Sequence, residues 1–305
     1  MRIASIDIGT NTILMLIVES IGNSEFHILN QQFSTPRLGE GVDKNGIISQ
    51  NAINRALEVL INYKKICNDY KVDVIKAVGT SALRDAKNSS EVLKIFKSIL
   101  NYDVEVISGE NEAYLSFIGS VNSTKRSLLI DIGGGSTELI IGENNQIQNR
   151  ISLQIGAVRI TEKFFKNIYP INDNFYNDAI NYIKEQLNNF KIDSKIEFIY
   201  SVAGTPCSIA TALKGIPDYE VDKVDGEKIY IEDIQNILNK FKLMNPYEIS
   251  EKYLINPKRA DIIAAGTLIL YLILQQYNLN YTIVSSKGLR FGIIKDFLIK
   301  NFESK

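Results

Sequence analysis

The sequence predicts an α/β protein of two lobes, each a mixed sheet flanked by helices, with a cleft between the lobes. Three observations support that class. Segments of strand period and helix period alternate from end to end, the pattern that builds sheets covered by helices. The pattern restarts near residue 127. Each half also opens on the same motif: Ile6-Asp7-Ile8-Gly9-Thr10-Asn11-Thr12 in the first resembles Ile130-Asp131-Ile132-Gly133-Gly134-Gly135-Ser136 in the second. Lobes of 1–122 and 123–305 follow, the last helix (about 290–305) being free to return to the first. A chain of 305 residues is long enough for each lobe to bury its own core.

In the first half, residues 3–8, 13–19 and 25–33 alternate or run apolar over strand lengths. Ser49 caps a helix in which Ile53, Leu57, Leu60 and Ile61 fall at helical spacing. Residues 72–79 read as a buried strand, 90–100 as a helix and 104–108 as a strand. A helix from about Gly109 turns Ala113, Leu115 and Phe117 inward. In the second half, 128–131, 138–141 and 146–153 are strands and 174–190 a helix. Residues 197–203 form a strand, followed by a helix from about Thr205. Beyond a more polar helical stretch, Asn256-Pro257 supplies a cap and first-turn proline for a long helix to about Tyr277. A strand at 283–285 and a helix at 289–301 close the chain.

Composition excludes several kinds of chemistry. The net charge of −1 leaves no broad footprint for a nucleic-acid polymer, so an anionic substrate must be met by a few local cations and backbone N–H groups. Cys67 and Cys207 are the two cysteines and lack C-x-x-C spacing, against a disulfide framework or a zinc site. The one histidine, His27, lies in an alternating segment and reads as a strand residue, so His-based catalysis and His metal clusters are not expected. No signal-length apolar run opens the sequence, and the longest apolar stretch, 262–274, is too short to span a bilayer. That stretch reads as core or as a dimer face. A cytoplasmic protein without membrane association is expected.

The duplicated motif carries chemistry. A Gly-rich strand-to-strand turn lets backbone N–H groups converge on an anion without Cβ interference. Gly133, Gly134, Gly135 and Ser136 form such a turn, and Asn11 and Thr12 offer side-chain donors at its counterpart. Asp7 and Asp131, opening the turns, suit a Mg²⁺ that offsets phosphate charge. One such turn is commonplace as a hairpin tip; two at the starts of matching halves point to phosphate. Glu110 and Glu112 open a helix after Ser108-Gly109, where acidic residues also simply favour the helix dipole. Arg84 follows the end of a buried strand, a position open to a surface role or to ligand binding.

These segments resemble the exopolyphosphatase and guanosine pentaphosphate phosphohydrolase family, in order and over nearly the whole chain. The matching stretches are IDIGTNTILMLI (6–17), RLGEGVDKNGIIS (37–49), GTSALRDAKN (79–88), ISGENEA (107–113), IDIGGGSTEL (130–139), QIGAVRITEKF (154–164), AGTPCSIA (203–210), KRADIIAAG (258–266) and SSKGLRFG (285–292). The resemblance implies ribonuclease-H-like lobes of the actin-like ATPase superfold. It also implies hydrolysis of a terminal phosphoanhydride of polyphosphate, guanosine pentaphosphate or both, with Mg²⁺ or Mn²⁺, and homodimers. Carried over by position, Glu112 activates or orients the attacking water and Arg84 neutralises a phosphate oxygen. Asp131 is the main metal ligand, with Asp7 and Glu138 in support. Asn11, Thr12, the 133–136 turn, Gly204, Thr205, Lys287 and Arg290 bind phosphate, Lys287 and Arg290 being favoured over Arg159.

Three departures stand out. Phe291 occupies a position where the family usually has an acid, so if that acid helps build the site rim, metal or substrate preference is expected to differ. Ala203 replaces the first of two glycines usual before Thr205, which restricts that loop. The chain stops at Lys305, without the extra C-terminal helical region of longer relatives, implying lower processivity or shorter substrates. Two other readings of the motifs compete. One is an ATP-dependent kinase of the same superfold, which needs an adenosine pocket; Glu112 in its Ser-Gly-x-x-Glu-Ala setting favours hydrolysis instead. The other is a non-enzymatic, nucleotide-gated actin-like protein, for whose extra domain this length leaves no room.

Overall fold

The first motif folds as the hairpin it predicts, β1 (Arg2–Ile8) running antiparallel to β2 (Ile13–Gly22) in the register Asp7↔Leu14. The computed structural model describes residues 1–22, 25–144, 146–166, 168–192, 195–217 and 220–302. The chain divides into two units, Met1–Gly119 with Gly288–Lys305, and Ser120–Lys287. Residues 303–305 of the predicted last helix lie outside the described residues.

In the first unit β3 (Glu25–Ser34) completes a meander, and α1 (Val42–Asn45) and α2 (Gln50–Asp69) follow. Then come β4 (Val74–Gly79), α3 (Ser81–Asp85), α4 (Ser89–Leu100), β5 (Val104–Val106) and α5 (Gly109–Ser120). The sheet order is β3-β2-β1-β4-β5, with β4 parallel to β1 and β5 parallel to β4. Strand β1 is covered on both faces, as its near-continuous apolar sequence requires. Ala4, Ile6 and Ile8 join a core with Ala52, Ala56 and Leu60 of α2 and Val92 and Phe96 of α4. Ile3 points the other way, into a cluster with Leu16, Val18, Phe291, Ile294 and Leu298. The C-terminal helix, Leu289–Phe302, therefore covers the second face of this sheet, and Ser5 Oγ donates to the Arg290 carbonyl at 2.8 Å.

Ser49 caps α2 as predicted, accepting from the Ala52 N–H. The buried stripe of that helix differs in one place. Ile61 is 49% exposed, while Tyr63 and Cys67 fill the core after Leu60. The helical period continues through residues 53, 56, 60, 63 and 67, and Ile61 lies off it. His27 sits exposed on β3, a strand residue as expected.

The second unit repeats the plan. β6 (Ser127–Ile132), β7 (Thr137–Glu143) and β8 (Gln146–Leu153) form the meander. α6 (Ala157–Ile160) runs on as a π-helical turn, Thr161–Phe165, and α7 (Asp173–Leu187) follows. β9 (Phe198–Val202), α8 (Gly204–Lys214), a 3₁₀ turn at Val221–Val224 and β10 (Lys228–Tyr230) come next. The polar helical stretch resolves into α9 (Ile231–Leu243) and α10 (Pro246–Tyr253). The chain closes with α11 (Pro257–Ala260), α12 (Ile263–Gln276), β11 (Tyr281–Ser285) and α13, the Leu289–Phe302 helix of the first unit. The sheet order β8-β7-β6-β9-β11 reproduces that of the first unit, with β10 added antiparallel at the edge.

The long helix expected from Asn256 to Tyr277 is two helices. Asn256 caps and Pro257 opens α11 as predicted, but the chain breaks at Asp261–Ile262 before α12 starts. The apolar stretch is core rather than a dimer face: α12 is buried nearly all round and packs against α6, α7, α8 and α9. Each buried Leu or Ile there contributes on the order of 1.5–3 kcal/mol. Among the described residues no helix is long and apolar enough to cross a membrane.

Candidate active site

In the first unit the turn between β1 and β2 is closed by Gly9 N–H donating to the Thr12 carbonyl at 2.9 Å. The loop after β3 docks on it, Arg37 N–H reaching the Asn11 carbonyl at 3.0 Å and Gly39 N–H the Thr10 carbonyl at 2.8 Å. A Cβ on Gly39 would fall 2.3 Å from a Thr10 methyl, which explains the glycine. Asn11 is buried, and its Oδ1 has no hydrogen-bond partner among the described residues. A buried orphan of that kind costs about 1–3 kcal/mol and is a normal mark of a ligand site.

Arg84 and Glu112 meet at the C-terminal edge of the same sheet. β4 and β5 are neighbours and parallel, so the helices that follow them, α3 and α5, start side by side. Arg84 Nη1 donates to Glu112 Oε2 at 2.9 Å and to the Ile107 carbonyl at 3.0 Å. The guanidinium side chain is 22% exposed and the carboxylate 11%. Arg84 Nη2 is buried without a partner among the described residues. Strand 104–108 is shorter than expected because Ser108 turns away to open α5, its Oγ accepting from Asn111 N–H at 3.2 Å.

The second turn copies the first: Gly133 N–H donates to the Ser136 carbonyl at 3.0 Å. Here α6 covers one side completely. Ala157 N–H reaches the Gly133 carbonyl, Val158 and Arg159 N–H both reach that of Gly134, and Arg159 Nε takes that of Gly135 at 2.8 Å. Packing is backbone on backbone, since a Cβ on Gly156 would lie 2.3 Å from the Gly134 oxygen. Arg159 is thus seated at the glycine turn. Asp131 and Glu138 are register partners across β6 and β7, and both are buried. Side chains at such paired positions share one face. Ser152 Oγ, from β8, donates to Glu138 Oε1 at 2.6 Å.

At the end of β9, Ala203 has φ 75° and ψ −167° and leads into Gly204 and the buried Thr205 of α8. Beneath them Arg259 is buried, with Nη1 3.4 Å from both the Gly204 carbonyl and Ser208 Oγ. A Cβ on Gly204 would sit 2.5 Å from that guanidinium, and one on Gly266 would sit 2.2 Å from Thr205 Oγ1. Lys287 Nζ lies 4.0 Å from Asp225 Oδ2. Arg290 Nη2 donates to Gln31 Oε1, on β3, at 3.2 Å, and the guanidinium lies 5.2 Å from the Phe291 ring centroid. Phe291 itself is core, packed with Ile3, Leu16 and Val18. Arg259 lies in the KRADIIAAG stretch that carries the family resemblance, whereas Ser152 is not among the expected site residues. Nothing in the local sequence marks Ser152, because it is delivered by a neighbouring strand of the meander.

Among the described residues no group of three or more His, Cys, Asp or Glu side chains is assembled to hold a metal. The paired Asp131 and Glu138 carboxylates nonetheless fit Mg²⁺, which keeps several waters and takes one or two carboxylates plus substrate phosphate.

A model of the Ppx/GppA phosphatase family matches residues 17–301. A bifunctional 3-dehydroquinate synthase/phosphatase of Fusobacterium nucleatum is 35% identical, over 95% of this chain and 46% of that protein. The chain therefore spans about half the length of that relative. Exopolyphosphatase 2 of Mycobacterium tuberculosis is 27% identical over 88% of each chain. The crystal structure of the Ppx/GppA family member of Aquifex aeolicus superposes with a TM-score of 0.82 at 31% identity, covering 99% of this chain and 98% of that one.

Proposed function

We propose, because the chain belongs to the Ppx/GppA phosphatase family, that it hydrolyses the terminal phosphoanhydride bond of inorganic polyphosphate, guanosine pentaphosphate or both, releasing orthophosphate. The observation that carries this reading is the Arg84–Glu112 pair with its spare, buried Nη2 donor. A buried guanidinium that has one nitrogen on a carboxylate and another without an acceptor is set to take an oxygen of an anionic substrate.

Phosphoryl transfer needs in-line positioning and charge neutralisation more than covalent help. Glu112, fixed by Arg84 Nη1, orients the attacking water by accepting one of its hydrogens. The water oxygen bonds to the terminal phosphorus while the bridging P–O bond breaks, and the water proton leaves with the orthophosphate. Arg84 Nη2 neutralises a non-bridging oxygen as charge shifts. The glycine turn at 133–136 has its carbonyls occupied by α6, so its other side, with Ser136, is the one that meets phosphate. Asn11 and Thr12 serve the first turn in the same way. Mg²⁺ held by Asp131 and Glu138 would offset charge on the substrate phosphates. The cytoplasm, which supplies Mg²⁺ and both substrates, is the compartment this reading assigns.

The test is phosphate release with Mg²⁺ from polyphosphate, guanosine pentaphosphate and ATP, beside Glu112→Gln and a chelator control. Fast release from either of the first two, lost in both controls, is expected. Release from ATP alone, or release that survives Glu112→Gln, would overturn the reading.

A further inference from the structure

The glycine turn of the second unit holds three consecutive peptides facing one way. The carbonyls of Gly133, Gly134 and Gly135 are taken by neighbouring groups at the start of α6: the Ala157 N–H, the Val158 and Arg159 N–H groups, and Arg159 Nε at 2.8 Å. All three peptides are trans, and in a trans peptide the N–H points away from its own carbonyl. The N–H groups of Gly134, Gly135 and Ser136 therefore leave the turn on the side opposite α6. None of the three has a backbone acceptor among the described residues, although Gly135 and Ser136 are buried. Buried donors of that kind are rare, and successive ones form a cradle for an anion.

Two of these peptides are held by main-chain N–H groups, which do not depend on the side chain that follows. The third differs. The Gly135–Ser136 peptide follows a glycine, whose backbone is free to turn that carbonyl either way, and the carbonyl is held by a side-chain donor, Arg159 Nε. The first unit pins its equivalent peptides by main chain: Gly39 N–H takes the Thr10 carbonyl and Arg37 N–H that of Asn11. The same peptide is thus fixed in both units, by different means. We propose that Arg159 is a positioning residue for phosphoryl transfer, fixing the Gly135–Ser136 peptide so that the Ser136 N–H, and not the Gly135 oxygen, meets the substrate phosphate. This rests on the phosphoanhydride-hydrolase reading and adds to it a residue that acts from behind the turn without touching substrate. The role requires an N–H donor at the fourth side-chain atom, where Nε stands, and does not require the positive charge.

Three substitutions separate donor from charge. Glutamine places an amide N–H at that atom without charge, lysine keeps the charge but puts a methylene there, and methionine has neither. Arg159→Met and Arg159→Lys are expected to lower kcat for phosphate release by about 10², the scale of a misplaced catalytic group, and Arg159→Gln should recover most of it. In ¹⁵N-labelled protein, orthophosphate with Mg²⁺ should move the Ser136 amide proton downfield in wild type and Arg159→Gln but not in Arg159→Met. Rescue by lysine and not by glutamine would show that charge is what matters and would overturn the positioning role. A Ser136 amide that responds alike in every variant, or in none, would overturn it too. Should Arg159→Met lose its circular dichroism spectrum, Arg159→Lys carries the comparison; loss in both would make Arg159 a folding residue and overturn the proposal. If wild type releases no phosphate from any phosphoanhydride, the hydrolase reading falls, and the amide response alone decides the role of Arg159.

Discussion

Replacing Ala203 by glycine is expected to stabilise the protein. At φ 75° and ψ −167°, Ala203 occupies a backbone region that is essentially glycine-only. A side chain held there costs on the order of 1–3 kcal/mol. Two effects oppose the gain. Glycine adds freedom to the unfolded chain, about 0.4–1 kcal/mol. The half-buried methyl group is also lost, worth at most about 0.8 kcal/mol. The balance favours glycine by about 1 kcal/mol, which in a unit of this size raises Tm by roughly 2–4 °C. Differential scanning calorimetry of Ala203→Gly reads this directly. Ala203→Val is the opposite control, because a β-branched side chain fits that region worse. A lower Tm for the glycine variant, or a valine variant equal to wild type, would refute the argument from strain.

Two further outcomes follow from named contacts. Arg84→Ala is expected to lower kcat by about 10²–10³, with Arg84→Lys recovering little, because an ammonium cannot hold Glu112, Ile107 and a substrate oxygen in one planar array. Phosphate-release kinetics measure it, and full rescue by lysine would show that charge alone matters. Alkaline pH is expected to destabilise the fold, since burial pushes the Cys67 thiol up to about 11 and the Tyr63, Tyr176 and Tyr277 phenols up to about 12. These groups stay protonated when folded but ionise when unfolded, so their contribution is whole below the unfolded values of 9.0 and 10.0 and is lost toward 11 and 12. Urea midpoints across that range should fall, and Cys67→Ala should remove the earliest part of the fall.

Much of the frame is legible because it is local. The duplicated Asp-Gly turn and the Ser49 and Asn256 caps are set by residues a few positions apart. The break at Asp261–Ile262 is not, because it follows the burial of Arg259 beneath Gly204, 55 positions away. Ile61 shows the same limit: two apolar neighbours compete for one stripe, and the packing of Tyr63 and Cys67 decides which is left outside. At the candidate site, Arg84 and Glu112 meet because two parallel strands end together, which a motif can suggest. The relative merits of Lys287, Arg290 and Arg159 depended on where each guanidinium or ammonium lands. Arg290 is drawn to Gln31 and the Phe291 ring, and Lys287 toward Asp225, whereas Arg159 is carried to the glycine turn by the first turn of α6.

The two halves share a frame but not a charge pattern, and the difference bears on where each kind of ligand group belongs. Asp7 faces Leu14 across its hairpin, whereas Asp131 faces Glu138 across the equivalent one. Like charges directly opposite on a sheet destabilise it, and here both are buried. On the proposed reading, a divalent metal held by this pair would offset that repulsion. The first turn replaces two glycines of the second by Thr10 and Asn11, so polar side chains take the place of bare backbone there. Buried orphan atoms of the first unit, Asn11 Oδ1 in that turn and Arg84 Nη2 in α3, are an acceptor and a donor of a kind that water or a phosphate group satisfies. Duplication thus supplies the scaffold twice, and the proposed mechanism draws its paired carboxylates from one copy and Arg84 with Glu112 from the other.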